Sequence, residues 1–221
     1  MSVMPSLRTL RAAGIAAGVA APFVAWSLSL VVIAGWPGYD PVARSISVLA
    51  TAPLGWLQST AFALSGVLGI AWALALPSVL GATPRDRSLV RGVLLLVAVI
   101  TLAFAILPTD PEGVPRTMIG RLHLLDFTAY AIAMPLSLLV VGSVMRRDPR
   151  WRGSVRPTFG AAGLAILSLV FMPATIDGAL TPWLGLLERL YVAIPSVWQV
   201  AVGIAAWRLV TRLDRGANPE A

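Results

Sequence analysis

Ten carboxylates, seventeen arginines, three tyrosines and a single histidine are the ionisable side chains of this 221-residue sequence. His123 and Asp126 stand three residues apart, so a helix through them places both on one face. Asp110 sits in a Pro108-Thr109-Asp110-Pro111 turn, and Arg189 follows Glu188 with Tyr191 close behind; an arginine at this helix mouth is expected to pair with an acid, Asp110 or Asp126. A carboxyl that loses its water holds its proton, and a neighbouring cation such as His123 or Arg121 restores its acidity by stabilising the conjugate base. That arrangement suits acid–base chemistry, with Asp110, His123 and Asp126 as catalytic candidates. Asp40, Arg44, Arg121, Asp177, Glu188, Arg189 and Tyr191 are the candidate substrate-binding residues around them.

Much other chemistry is excluded. Without cysteine or lysine there is no disulfide, thiolate metal site, Schiff base or P-loop lysine. One histidine cannot supply the usual zinc ligand set, and no paired Asp-rich motif exists for magnesium-assisted diphosphate ionisation. No metal and no cofactor is therefore expected. Ser45 or Ser47 with His123 and Asp126 would make a hydrolase triad in composition only, because no sharp nucleophile turn presents either serine.

The elements that position these residues are membrane helices. Hydrophobic residues make up 57% of the chain and charged ones 12%, with a mean hydropathy of +0.82. A soluble domain carries about 25% charged residues, and half that share cannot cover a water-exposed surface. Long charge-free runs, each near the roughly 20 residues that span a bilayer, predict spans at about 12–35, 56–80, 92–107, 122–145, 158–176 and 187–207. The expected fold is all-α, one polytopic transmembrane bundle over residues 1–221, multi-pass in the cell membrane. The first run is too long for a secretory signal core.

Arginine placement sets the orientation. The N-terminus, the 81–91 and 146–157 loops and the C-terminal tail hold thirteen arginines and four acids, while the other three loops hold four arginines and six acids. By the positive-inside rule both termini are cytoplasmic. The basic loop at 146–152 then reads as a topology signal touching anionic lipid, and no nucleic-acid partner is expected. Gly14-xxx-Gly18 offers a close-packing face. Pro22, Pro135 and Pro195 free carbonyls that neighbouring helices must satisfy. Residues 42–50 read as a short helix lying along the membrane plane, with Trp36, Tyr39, Trp56 and Trp183 as an aromatic belt.

The substrate class follows from that setting: a hydrophobic molecule entering sideways from lipid. The most concrete reaction is proton-initiated isoprenoid cyclisation, with tryptophan and tyrosine faces stabilising a carbocation. The alternative is a non-catalytic lipid-binding or assembly protein whose outer pocket holds a headgroup, with Arg44, Arg116 and Arg189 facing phosphate. In both readings the partner is a membrane lipid or an isoprenoid.

Four pieces carry a family resemblance. They are Tyr39-Asp40-Pro41 leading into Ser45-Ile46-Ser47-x-Leu49-Ala50, then Pro108-Thr109-Asp110-Pro111, Gly120-x-x-His123, and Gly185-Leu186-x-x-Arg189. In their order and placement the chain resembles the domain-of-unknown-function 998 family of six-span membrane proteins. The resemblance covers nearly the whole chain and implies architecture and candidate positions, with no biochemistry. Val48 stands where an acid is expected, and Glu188 where a glutamine is expected.

Overall fold

The computed structural model describes residues 6–172 and 180–216, the side chains of the last four excepted. Six long helices follow one another: α1 (Leu7–Ala34), α2 (Gly55–Ala75), α3 (Pro84–Ala103), α4 (Met118–Met145), α5 (Arg152–Phe171) and α6 (Leu184–Gly216). No strand occurs among the described residues. Each helix packs on its chain neighbour, and α6 closes the ring against α1.

Five of the six are long and apolar enough to cross a membrane. The exception, α3, carries Arg85, Asp86, Arg87 and Arg91 in its first two turns. Its apolar part still begins near residue 92, as the sequence predicts. Charge does not stop a helix, so the helix simply continues out of the apolar zone. Thr83 caps it by accepting the Asp86 N–H at 3.1 Å, and Thr117 caps α4 likewise through the Gly120 N–H at 3.1 Å. The outward faces are apolar: Phe23 is 60% exposed, Ile132 64% and Val197 69%. Such a belt would be an aggregation surface in water, and it is the expected lipid face of a membrane bundle.

Two of the three prolines named above show how a membrane helix tolerates its missing N–H. Pro22 would have bonded Gly18 O, and the Gln199 side-chain amide donates to that carbonyl instead at 2.9 Å. Pro135 frees Ala131 O, which accepts the Tyr191 hydroxyl at 3.0 Å. A carbonyl buried without a partner is costly where no water reaches, so Tyr191 and Gln199 act as pins from α6 onto α4 and α1.

At the end that arginine placement makes cytoplasmic, Asp148 joins two loops. Its Oδ2 accepts the Gly81 N–H at 2.7 Å, and Arg150 donates to both of its oxygens. The Arg150 guanidinium beside Asp148 holds its carboxyl down at about 2. Six crossings put both chain ends on one side. Reporter fusions at Ala221 and within residues 108–121 should therefore report opposite sides of the membrane, and agreement between them would break the six-span topology.

Candidate functional site

The outer end is organised by the start of α6. Glu188 is 4% exposed and its two oxygens reach the first outer loop: Oε2 accepts the Ile46 N–H at 2.7 Å and Oε1 accepts the Ser47 hydroxyl at 3.2 Å. Arg189 works on the same loop. Its Nη1 donates to the carbonyls of Pro41 (2.7 Å), Arg44 (2.9 Å) and Gly185 (3.0 Å), and its Nη2 donates to the Tyr39 hydroxyl. Tyr39 in turn donates to Ser45 O at 2.7 Å. Burial pushes the Tyr39 phenol above its ordinary value against the pull of Arg189, so it stays protonated and keeps that donor. Leu186 N–H closes the set on Val42 O at 2.9 Å. The result is a clamp of α6 on the loop through main-chain groups.

Two expectations change here. An arginine at this helix mouth calls for an acid, Asp110 or Asp126, yet Arg189 is satisfied by carbonyls, because the turn at 41–44 aims two of them at one guanidinium. The short interfacial helix at 42–50 is instead a turn followed by one 3-10 segment, Ser47–Thr51. Ile46, Val48 and Leu49 are buried in a satellite core with Val32 and Tyr39. Tyr39 stacks on Trp36 with ring centroids 5.1 Å apart, so it leaves the aromatic belt, while Trp56 and Trp183 stay exposed in it.

The remaining named residues scatter around this clamp. Asp40 is exposed and its Oδ1 accepts the N–H groups of Val42 and Ala43 at 2.8 and 3.3 Å. Arg44 lies over the Trp36 ring at 4.4 Å, and its Nε is 2.9 Å from Glu112 Oε2, an ion pair without hydrogen-bond alignment. Glu112, itself exposed, is thereby tied to the first outer loop. With Arg44 and Arg189 both committed, only the exposed Arg116 of the three arginines remains open to a phosphate. Arg121 is also exposed, and Asp177 lies outside the described residues.

Asp110 accepts the Thr117 N–H at 2.9 Å and the Thr117 hydroxyl at 2.7 Å. Those bonds hold its carboxyl below the ordinary range, which contradicts the expectation that it keeps a proton. Its carboxylate also fills the space a side chain at Gly120 would need. His123 is buried, with Nδ1 2.7 Å from Leu107 O and its ring 5.3 Å from Phe104. It makes no hydrogen bond to Asp126, one turn away. Asp126 Oδ2 is buried with no partner among the described residues.

The bundle also holds a partly open cavity of about 150 Å³ that sequence reasoning missed. Its lining is mostly aromatic and small, with Trp26, Phe62, Trp72, Phe104, Phe127 and Tyr130 prominent. On α6 the lining positions run from Glu188 to Gln199, about 16 Å of helix at 1.5 Å per residue. A space that long with so small a volume is narrow. Ile46, Ser47 and Glu188 form its outer end, so the clamped loop is its cover. Asp110, His123 and Asp126 are not among its lining residues. One signal for it was present: Ser65 and Trp72 stand seven residues apart on α2, so a helix places both on the one face that lines the cavity.

A family model described as "Protein of unknown function (DUF998)" matches residues 19–205. The chain belongs to the DUF998 family. No curated protein and no solved structure matches it. The resemblance carried by the four sequence pieces is thereby shown, and all four, around residues 39–50, 108–111, 120–123 and 185–189, lie at the outer loops and the clamp. In this DUF998 chain Val48 is 2% exposed, so an acid at that position would be buried; the apolar residue fits the satellite core.

Proposed function

We propose that this membrane protein takes an apolar molecule dissolved in the cell membrane into the cavity that all its helices but α5 line, beneath the loop that Glu188 and Arg189 hold. The observation that carries the reading is the aromatic lining of a cavity inside the bundle, with a loop held over its outer end by main-chain contacts. Volume defines the occupant. An apolar cavity of about 150 Å³ holds a benzene-sized molecule, whereas drug-sized ligands need roughly 300–1,000 Å³. A linear acyl or isoprenyl segment suits the narrow shape, and a folded polycyclic precursor does not. The test is binding of ethylbenzene to the purified protein in nanodiscs. Saturable one-site binding is expected in the wild type and should be lost in Thr101→Trp, which fills the cavity from α3. Linear uptake identical in both proteins would mean lipid partitioning alone and would end the reading.

A second reading, acid–base catalysis at the outer face, is favoured by one observation: the unpartnered Asp126 oxygen. A buried polar atom without a partner costs about 1–3 kcal/mol, and such costs are retained at functional sites more than elsewhere. In this reading Asp126 protonates an alkene carbon of an isoprenoid, the cation closes a ring, and a proton returns to the carboxylate, with His123 and Asp110 nearby. Asp126→Asn breaks no hydrogen bond among the described residues and keeps the shape, so the melting temperature should hold while the cellular isoprenoid profile shifts to that of the deletion strain. A destabilised variant with an unchanged profile would make Asp126 an ordinary structural residue.

A further inference from the structure

The polar groups around the cavity divide into those already committed and those that are not. Ser29 donates to Gln58 Oε1 at 2.8 Å, and Thr101 and Ser196 donate to carbonyls of their own helices. Trp26 and Trp198 donate their indole N–H groups to the hydroxyls of Ser196 and Thr158. Both oxygens of Glu188 are occupied by the clamp. Two lining groups are left buried without a partner, Ser65 Oγ and Trp72 Nε1. Trp72 is 3% exposed. The Cε3–Cδ2 side of its ring faces Gly18, and Cζ3 faces Gly203. The indole nitrogen lies on the opposite ring edge, away from both helices.

An indole N–H has one function in hydrogen bonding, to donate. Buried without an acceptor it is unfavourable by the full desolvation cost, and tryptophan in apolar surroundings ordinarily finds a partner. Its neighbours Trp26 and Trp198 both do; Trp151 Nε1, buried outside the cavity, finds none among the described residues, so it is the place of Trp72 on the cavity wall that counts. Phenylalanine would fill most of the same space without that cost.

We infer that the molecule held in this cavity carries an oxygen acceptor of the carbonyl class, a ketone, aldehyde, ester or quinone oxygen, which takes the hydrogen of Trp72 Nε1 at the deep end while its apolar chain lies along the aromatic lining. Ser65, seven residues earlier on the same face of α2, lies two turns nearer the outer cover and donates to a second oxygen where the molecule has one. The inference rests on the cavity being a ligand site and adds the chemical class of the ligand.

The experiment compares two probes of nearly equal size, ethylbenzene and acetophenone, on wild type and on Trp72→Phe in nanodiscs. The ratio of the two affinities in one protein, divided by the ratio in the other, cancels their different partitioning into lipid. We expect the ketone to gain about tenfold over the hydrocarbon in wild type relative to Trp72→Phe, the usual size of one buried hydrogen bond. Should Trp72→Phe fail to fold, ¹⁵N-indole spectra of the wild type read the same bond: the ketone should move one indole N–H resonance downfield and the hydrocarbon should not. Saturable binding of both probes with no ketone preference and no shifted indole would overturn the inference, leaving the cavity a purely apolar or water-filled site. Failure of both probes to bind saturably would instead overturn the underlying reading of the cavity.

Discussion

Glu188→Ala should lower stability by about 2–6 kcal/mol and release the first outer loop. The change leaves two buried donors, the Ile46 N–H and the Ser47 hydroxyl, without their acceptors, and each orphan costs about 1–3 kcal/mol. Water cannot easily repair the loss, because Ser47, Val48 and Leu49 are all buried. Hydrogen exchange at the Ile46 amide is the direct readout, and it should accelerate by orders of magnitude while amides in the middle of α4 stay protected. Glu188→Gln keeps one acceptor oxygen and turns an N–H₂ toward a donor, so it should fall between wild type and alanine. Arg189→Ala should cost less than Glu188→Ala, since the carbonyls it abandons lie nearer the surface and can take water. An unchanged Ile46 exchange rate in a Glu188→Ala protein of normal stability would show that the clamp is incidental.

How far these contacts could be read beforehand depended on their kind. Helices, spans and the proline-freed carbonyls follow from local composition: apolar length fixes the first two, and the missing N–H of Pro22 and Pro135 guarantees an acceptor four residues earlier that some neighbour must satisfy. That the neighbours are Gln199 and Tyr191 is a matter of helix rotation, which composition does not set. For the same reason Tyr191 reads as a binding residue in sequence and turns out to be a pin. The Glu188–Arg189 pair was legible as important and misread in partner, since charge counting pairs acids with bases and has no entry for main-chain carbonyls. Asp110 shows the opposite failure. Its turn was correctly placed, but proximity of Thr117 seven residues on decides whether the carboxyl is a proton donor or a fixed acceptor, and only the folded loop shows that. The cavity itself is a property of five helices at once, and the Ser65–Trp72 pair marks only one of its walls.

Gly18→Leu should be the most disruptive single change in the first helix. A Cβ at this position falls on the Trp72 ring, and one at Gly14 meets Ala75 Cβ at 2.5 Å and Ala71 O at 2.7 Å. In a bilayer there is no solvent-driven force between helices, so the contact of α1 with α2 depends on backbones approaching closely over small residues. Overpacking a tight contact usually costs about 1–3 kcal/mol, and occasionally more. Gly18→Ala should sit within that range and Gly18→Leu above it, measured as unfolding in mixed micelles. The obstacle at Gly18 is the ring of one residue, which makes the cause separable. Trp72→Phe removes the benzo edge that Gly18 faces, so Gly18→Ala should cost clearly less in that background than in the wild type, a coupling read from a double-mutant cycle. At Gly14 the obstacle is main chain and an alanine, and Trp72→Phe should leave the cost of Gly14→Ala unchanged. Additive costs at Gly18 would mean that the ring is free to move aside. Trp72 would then not be held in place by α1, and the cavity wall it forms would be soft rather than built.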